Sequence, residues 1–173
     1  MRSLFIHGAV HKVWFSVRED GSQPAQEFLA TLSRGTWEAD PDRQDGDPWP
    51  DEAQPNDRAV LVRIITAFAN KGVPDSTRQV NDLEDGLWEF KRAAKRVTFY
   101  DTDGKGACVT HERVGSRAEG HRGESDEMWQ YPIFAEQIRL GFCFGKTGRY
   151  SGDDNIDEAI EVKEEDLAYD RAA

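Results

Sequence analysis

Between Leu87 and Asp101 the chain carries the pattern that most limits its fold, two strand-like runs separated only by Ala93-Ala94. In Leu87-Trp88-Glu89-Phe90-Lys91, the residues Leu87, Glu89 and Lys91 share one side and Trp88 and Phe90 the other, the two-residue period of an extended strand. Lys95 to Asp101 (KRVTFYD) is rich in β-branched and aromatic residues, and so short a link between two such runs predicts a hairpin. A sheet is therefore required. Ile138 to Phe144 (IRLGFCF) adds a last strand, on which Ile138, Leu140, Phe142 and Phe144 are expected to share a face.

Helical signals flank the hairpin. Val10 to Val17 reads as a first strand, ended by the turn-forming Asp20-Gly21-Ser22-Gln23-Pro24. Pro24 suits a helix's first turn, and Phe28, Leu29 and Leu32 recur at helical spacing through Ser33. Asp57 is the expected N-cap of a second helix, whose Val60, Leu61, Ile64, Ile65 and Phe68 form an apolar stripe before Gly72. Val73 to Leu83 reads as a connector and Glu84-Asp85-Gly86 as a tight turn. Ala107 to Arg113 extends the hairpin, Gly115 to Glu127 reads as loop, and Trp129 to Ala135 supplies a few apolar anchors. Ile156 to Leu167 predicts a helix capped by Asp153 or Asp154, with a thin stripe of Ile156, Ala159, Ile160 and Leu167 and an acidic opposite face.

The hydrophobic share of 38% supports one core but is low for 173 residues, so part of the chain is expected to be loop. Residues 34–57 carry eight acids against Arg34 and Arg43, with many prolines and glycines, and read as a mobile acidic loop to which Trp37 and Trp49 belong. The expected organisation is a single α+β domain over residues 1–173, with that loop and an insertion at 102–137. No apolar run approaches the roughly 20 residues of a membrane span, and no signal peptide is evident, so a cytoplasmic location and no membrane partner are expected. Cys108 and Cys143 are too few for a disulfide framework.

Charge is uneven. The net value of -11 opposes nucleic-acid binding through the overall field. Yet Phe90 to Tyr100 holds Lys91, Arg92, Lys95 and Arg96 with no acid, and Ile138 to Tyr150 holds Arg139, Lys146 and Arg149 with none. Residues 151–173 reverse this with nine acids against Lys163 and Arg171, a net of -7. The acidic helix is expected to lie near the basic sheet face and weaken non-specific RNA binding. Cys108, His111, His121 and Cys143 match no compact zinc spacing, and neither a phosphate loop nor a hydrolase elbow occurs, so no metal and no cofactor is expected.

Three stretches carry a family resemblance: Leu83-Glu84-Asp85-Gly86-Leu87-Trp88-Glu89-Phe90-Lys91, then Lys95-Arg96-Val97-Thr98-Phe99-Tyr100, then Phe142-Cys143-Phe144-Gly145-Lys146-Thr147 with Ile156 and Ala159 downstream. In this order they resemble the RelE/ParE toxin superfamily, in particular its HigB-like branch. The resemblance implies a small antiparallel sheet, two N-terminal helices packed on one face, and a C-terminal helix. It also implies a toxin of a toxin-antitoxin system, a ribosome-dependent endoribonuclease that cleaves mRNA and inhibits translation. The implied partners are a cognate antitoxin protein, the ribosome and mRNA, the antitoxin covering the basic face or displacing the last helix.

In such toxins the ribose 2′-hydroxyl attacks its own 3′-phosphate, so the protein must align the phosphate, neutralise its charge and move two protons. Arg96 matches the family's strand arginine and Arg149 the region of its second cation, each able to meet two phosphate oxygens with its planar fork. Lys146 completes the basic motif, Glu89 is a candidate general base and Tyr150 an aromatic that stacks on a base or assists proton transfer. Lys91, Arg92, Lys95 and Arg139 are the expected RNA contacts. The plainer readings are solvated arginines and lysines, and a Glu89-Lys91 salt pair worth little. A second functional class is a non-catalytic protein-binding module on the same scaffold, either like the ParE-type gyrase inhibitors or a degenerate toxin. Convergence of Lys91, Arg96, Lys146 and Arg149 on one face separates the two.

Overall fold

A computed structural model describes residues 1–33, 55–76, 78–111, 131–145 and 153–172. Among these, the elements in chain order are β1 (Leu4–His7), β2 (Lys12–Phe15), α1 (Pro24–Leu32), α2 (Pro55–Lys71), β3 (Val80–Asp82), β4 (Trp88–Arg92), β5 (Lys95–Thr102), β6 (Gln137–Gly145) and α3 (Asp153–Ala172). The strands form one sheet in the order β1-β2-β6-β5-β4-β3. All neighbours are antiparallel except β2 and β6.

The α+β class holds, but the finer expectation needs correction. The sheet is six-stranded and mixed, and a strand hairpin precedes the two helices, so they are not N-terminal. Leu4-Phe5-Ile6-His7 is too short and too uniformly apolar to show alternation, which is why β1 escapes a periodicity reading. β6 lies parallel to β2 because the chain between them travels through α1, α2 and three further strands and returns in the same direction. Within the expected connector, β3 emerges as an edge strand closed onto β4 by Asp85 and Gly86, both with positive φ as a tight hairpin turn requires.

The sheet's first side carries the main core. Leu29 and Leu32 of α1 and Leu61, Ile65 and Phe68 of α2 bury against Val13, Phe90, Val97, Phe99 and Leu140. Phe68 is its centre, with ring centroids 5.3 Å from Phe90, 5.4 Å from Phe99 and 5.5 Å from Phe134. Aromatic pairs at such spacings add roughly 0.5–1.5 kcal/mol each beyond their burial. α2 begins at Pro55, so Asp57 lies in its first turn instead of capping it. Gly72, at φ 79°, ends the helix as the sequence predicts.

β6 does not keep one apolar face. Val97 pairs with Cys143 and Phe99 with Leu140, so β6 holds one residue more than β5 across this interval, a bulge around Gly141. Ile138 and Leu140 therefore enter the main core, whereas Phe142 joins the second cluster on the other side. Gly141 suits the site because a Cβ there would sit 2.8 Å from Thr98 Oγ1, whose hydroxyl donates to Phe142 O at 2.9 Å.

α3 covers the second side, where Leu87, Tyr100, Ala159 and Leu167 form the smaller cluster. It begins at Asp153 and runs beyond the expected Leu167. Its acidic residues are not a free solvent face. Arg18 binds Glu158, Glu161 and Glu165, while Arg2 and Arg139 bind Asp166 and Asp170. No helix among the described residues is long and apolar enough to cross a membrane. The acidic loop and the centre of the insertion, with Trp37, Trp49 and His121, lie outside the described residues.

Candidate functional site

Register fixes which candidate residues meet. Lys91 lies opposite Arg96 and Glu89 opposite Thr98, so Leu87, Glu89, Lys91, Arg96, Thr98 and Tyr100 share the side that α3 covers. Arg96 Nε is 3.5 Å from Glu89 Oε1. Glu89 is fully buried and Arg96 is only 9% exposed. Burial pulls the Arg96 guanidinium below its ordinary value, and the charge of Glu89 opposes that pull.

Arg96 also serves the hairpin. Its Nη1 donates to Ala93 O at 2.7 Å and to Lys95 O at 2.9 Å. Ala93 holds φ at 49°, a left-handed conformation that costs an L-residue about 1–2 kcal/mol. The guanidinium thus secures the turn that the two-alanine link must make.

Arg92 and Lys95, expected beside Arg96 on the RNA, project to the opposite side of the sheet. Arg92 Nε lies 2.9 Å from Asp57 Oδ1, and Lys95 Nζ lies 2.8 Å from Asp57 Oδ2. Burial raises the Asp57 carboxyl, but the hydrogen bonds from Lys95 and Arg92 outweigh it and hold the group below the ordinary carboxylate range. Adjacent strand residues point to opposite sides, so a basic run along one strand cannot form one basic face.

Arg139 is on the α3 side but 1% exposed, with Nε 3.3 Å from Asp166 Oδ2 and Nη2 3.2 Å from Asp170 Oδ2. In this conformation its guanidinium faces α3. Asp166, itself fully buried, also accepts from Tyr100 Oη at 2.7 Å and from Val17 N at 2.8 Å. Burial and the neighbouring Asp166 charge push the Tyr100 hydroxyl well above its ordinary value, so it is a proton donor in the network. Lys146, Arg149 and Tyr150 lie outside the described residues.

Sequence reasoning therefore places Glu89, Lys91 and Arg96 together but misses Arg2, Arg18, Asp166 and Asp170. Arg2 and Asp166 are 164 residues apart, and no local pattern links them. A second missed pair is Asp101 with His111, at 2.6 Å, where Asp101 Oδ2 also accepts from Ala135 N at 2.6 Å. It ties two parts of the expected insertion to β5. Cys108 packs against the second cluster and Cys143 against the main core, on opposite sides of the sheet.

An arginine beside a carboxylate can divide the work of phosphodiester cleavage. The carboxylate takes the proton of an attacking hydroxyl, and the guanidinium meets the charge that grows on the phosphate oxygens. Glu89 and Arg96 have that chemistry. No family model, curated protein or solved structure matches the chain.

Proposed function

We propose that the chain is a ribosome-directed endoribonuclease of the RelE/ParE type, of the HigB-like kind, that cleaves mRNA and is silenced by a cognate antitoxin. The observation that carries the reading is the grouping of Arg96 with Glu89 at 3.5 Å, with Lys91 directly opposite Arg96 on the neighbouring strand. Arg96 is assigned to the phosphate oxygens, Glu89 to the 2′-hydroxyl proton and Lys91 to RNA positioning. β6 runs past Arg96 at Phe144, two residues before Lys146 in the sequence. Lys146, Arg149 and Tyr150 retain their proposed roles as further cation, second phosphate ligand and proton donor or stacking group.

Induced expression in bacteria is expected to arrest growth and translation, with mRNA cut at codons held by stalled ribosomes. Arg96→Lys retains charge but loses the fork, and Arg96→Ala loses both. Removing one such stabilising group costs about 10²–10³ in rate, so both variants should relieve arrest, Arg96→Ala the more. A folded Arg96→Ala protein that remains equally toxic overturns the assignment.

A second reading, a non-catalytic protein-binding module like the ParE-type gyrase inhibitors, draws on a specific observation. Arg92, Lys95 and Arg139 are each bound by a carboxylate of the same chain, and Glu89 is fully buried. It requires growth arrest without mRNA cleavage, accompanied by lost DNA supercoiling. Mapping RNA ends in arrested cells separates the readings.

A further inference from the structure

Every carboxylate paired with the side chains of Arg2, Arg18 and Arg139 belongs to α3 among the described residues. Arg18 is held by Glu158, Glu161 and Glu165. Arg2 and Arg139 share Asp166 and Asp170, and Arg2 also lies over the Tyr169 ring, 5.2 Å from its centroid. The three arginines come from three separate places, the segment before β1, the segment between β2 and α1, and β6, yet they line up along one helix. The sheet and its flanking segments present these arginines on this side, and one helix supplies the counter-charge.

The helix is fastened by charge as well as by apolar contact. Its buried residues are Ala159, Val162, Lys163, Asp166 and Leu167, so two of the five are ionisable. Hydrogen bonds donated to Glu165 and Glu158 raise the Arg18 guanidinium above its ordinary value despite partial burial. Such a contact responds differently to water and to anions. Water alone leaves semi-buried arginines without partners, an unfavourable state, whereas another polyanion restores the pairing.

We propose that α3 is an intramolecular stand-in for a nucleic-acid backbone, and that single-stranded RNA exchanges with it for Arg2, Arg18 and Arg139. The charge spacing fits. From Glu158 to Asp170 the helix advances about 18 Å at roughly 1.5 Å per residue, which sets its five arginine-bound carboxylates about 4.5 Å apart on average. A nucleic-acid strand in a duplex carries one charge per roughly 3.4 Å. Exchange uncovers Leu87 and Tyr100, and the same side of the sheet carries Glu89, Lys91 and Arg96, the grouping assigned to cleavage. This inference rests on the RNA-directed reading of that grouping. It replaces the idea of diffuse repulsion by the acidic helix with competition at named arginines.

The test uses the full chain and a labelled oligouridylate longer than the roughly 4–16 nucleotides of a typical single-strand site, measured by fluorescence anisotropy. Glu158→Gln combined with Glu165→Gln leaves Arg18, which is partly exposed, with Glu161 alone, without touching the buried Asp166. Binding is expected to tighten about tenfold at low salt, with the salt slope steeper by about 0.7 for each further phosphate engaged. Adding Arg18→Ala should abolish the gain. Glu164→Gln removes equal charge per site at a position beside Lys163 and away from the three arginines, and should change nothing. Hydrogen exchange gives a second readout: saturating RNA should deprotect the amides of α3.

Equal binding by wild type and the double variant overturns the proposal, as does a gain that survives Arg18→Ala or is matched by Glu164→Gln. RNA binding with α3 protection unchanged overturns it as well. Toxicity and mRNA cleavage by the wild type are scored separately. If cleavage occurs while exchange fails, the endoribonuclease reading stands and only the stand-in role falls. If exchange occurs without cleavage, the stand-in role stands and the endoribonuclease reading falls.

Discussion

Replacing Asp166 by asparagine tests whether the polar network fastens α3 to the sheet. The carboxylate is fully buried and accepts from Arg2 Nη2 at 2.6 Å, Tyr100 Oη at 2.7 Å and Val17 N at 2.8 Å, with Arg139 Nε at 3.3 Å. Asparagine keeps the shape but offers one acceptor oxygen, so its amide nitrogen must face donors, and Arg139 is left with Asp170 alone. Hydrogen bonds to a charged group are worth about 1.5–3 kcal/mol each, and breaking a buried pair costs about 3–5 kcal/mol; these describe the same loss and are not summed. The expected destabilisation is about 3–5 kcal/mol, a large part of the roughly 5–15 kcal/mol that holds a typical domain. At roughly 2–4 °C per kcal/mol for this size, the thermal midpoint drops by about 6–20 °C. Urea titration followed by circular dichroism measures it, with Glu164→Gln as a comparator expected within about 0.5 kcal/mol. A loss below about 1 kcal/mol for Asp166→Asn would refute the network as the fastening of α3.

Two further outcomes follow from the core. Burial holds the His11 imidazole below its ordinary value, against the backbone carbonyls of Ala135 and Gly72 and the charge of Asp101. The unfolded chain therefore binds more protons, so stability is full above about pH 6.5 and falls as pH drops toward the folded value. His11→Phe, which keeps the stack on Phe68, should flatten that slope in urea midpoints taken from about pH 7 to pH 5, and identical slopes count against it. Gly141→Ala places a methyl 2.8 Å from Thr98 Oγ1 and should cost about 1–3 kcal/mol in the same assay, whereas a neutral result means the bulge relaxes.

The elements easiest to read are those whose own neighbours decide them. The β4–β5 hairpin, α1 and α2 follow from local alternation, apolar stripes and Gly72. The face of a strand is less secure, since one additional residue at Gly141 sends Phe142 to the side opposite Leu140. Charge is least legible. A run such as Lys91, Arg92, Lys95 and Arg96 looks like one basic patch, but the pleat divides it, and Asp57 takes up two members from across a helix. The acidic stretch of α3 looks like a solvated face because its arginine partners, Arg2, Arg18 and Arg139, are scattered along the chain. Only the assembled sheet brings them together.

The parallel pairing of β2 with β6 has a consequence for how the protein is made. Phe15 and Leu140 are neighbours in the sheet, and Arg2 is bound to a residue 164 positions later. During synthesis the hairpin and α2 can assemble early from near contacts, but the amino-terminal strands have no sheet to join until β6 has left the ribosome. Arg2 and Arg18 then wait for α3, which follows β6. Loop closures this long slow assembly, and a product cut between β6 and α3 ends with Arg2, Arg18 and Arg139 uncovered. Progress of translation is thereby written into the charge of the product: a chain that includes α3 covers its own arginines, and one interrupted after β6 presents them.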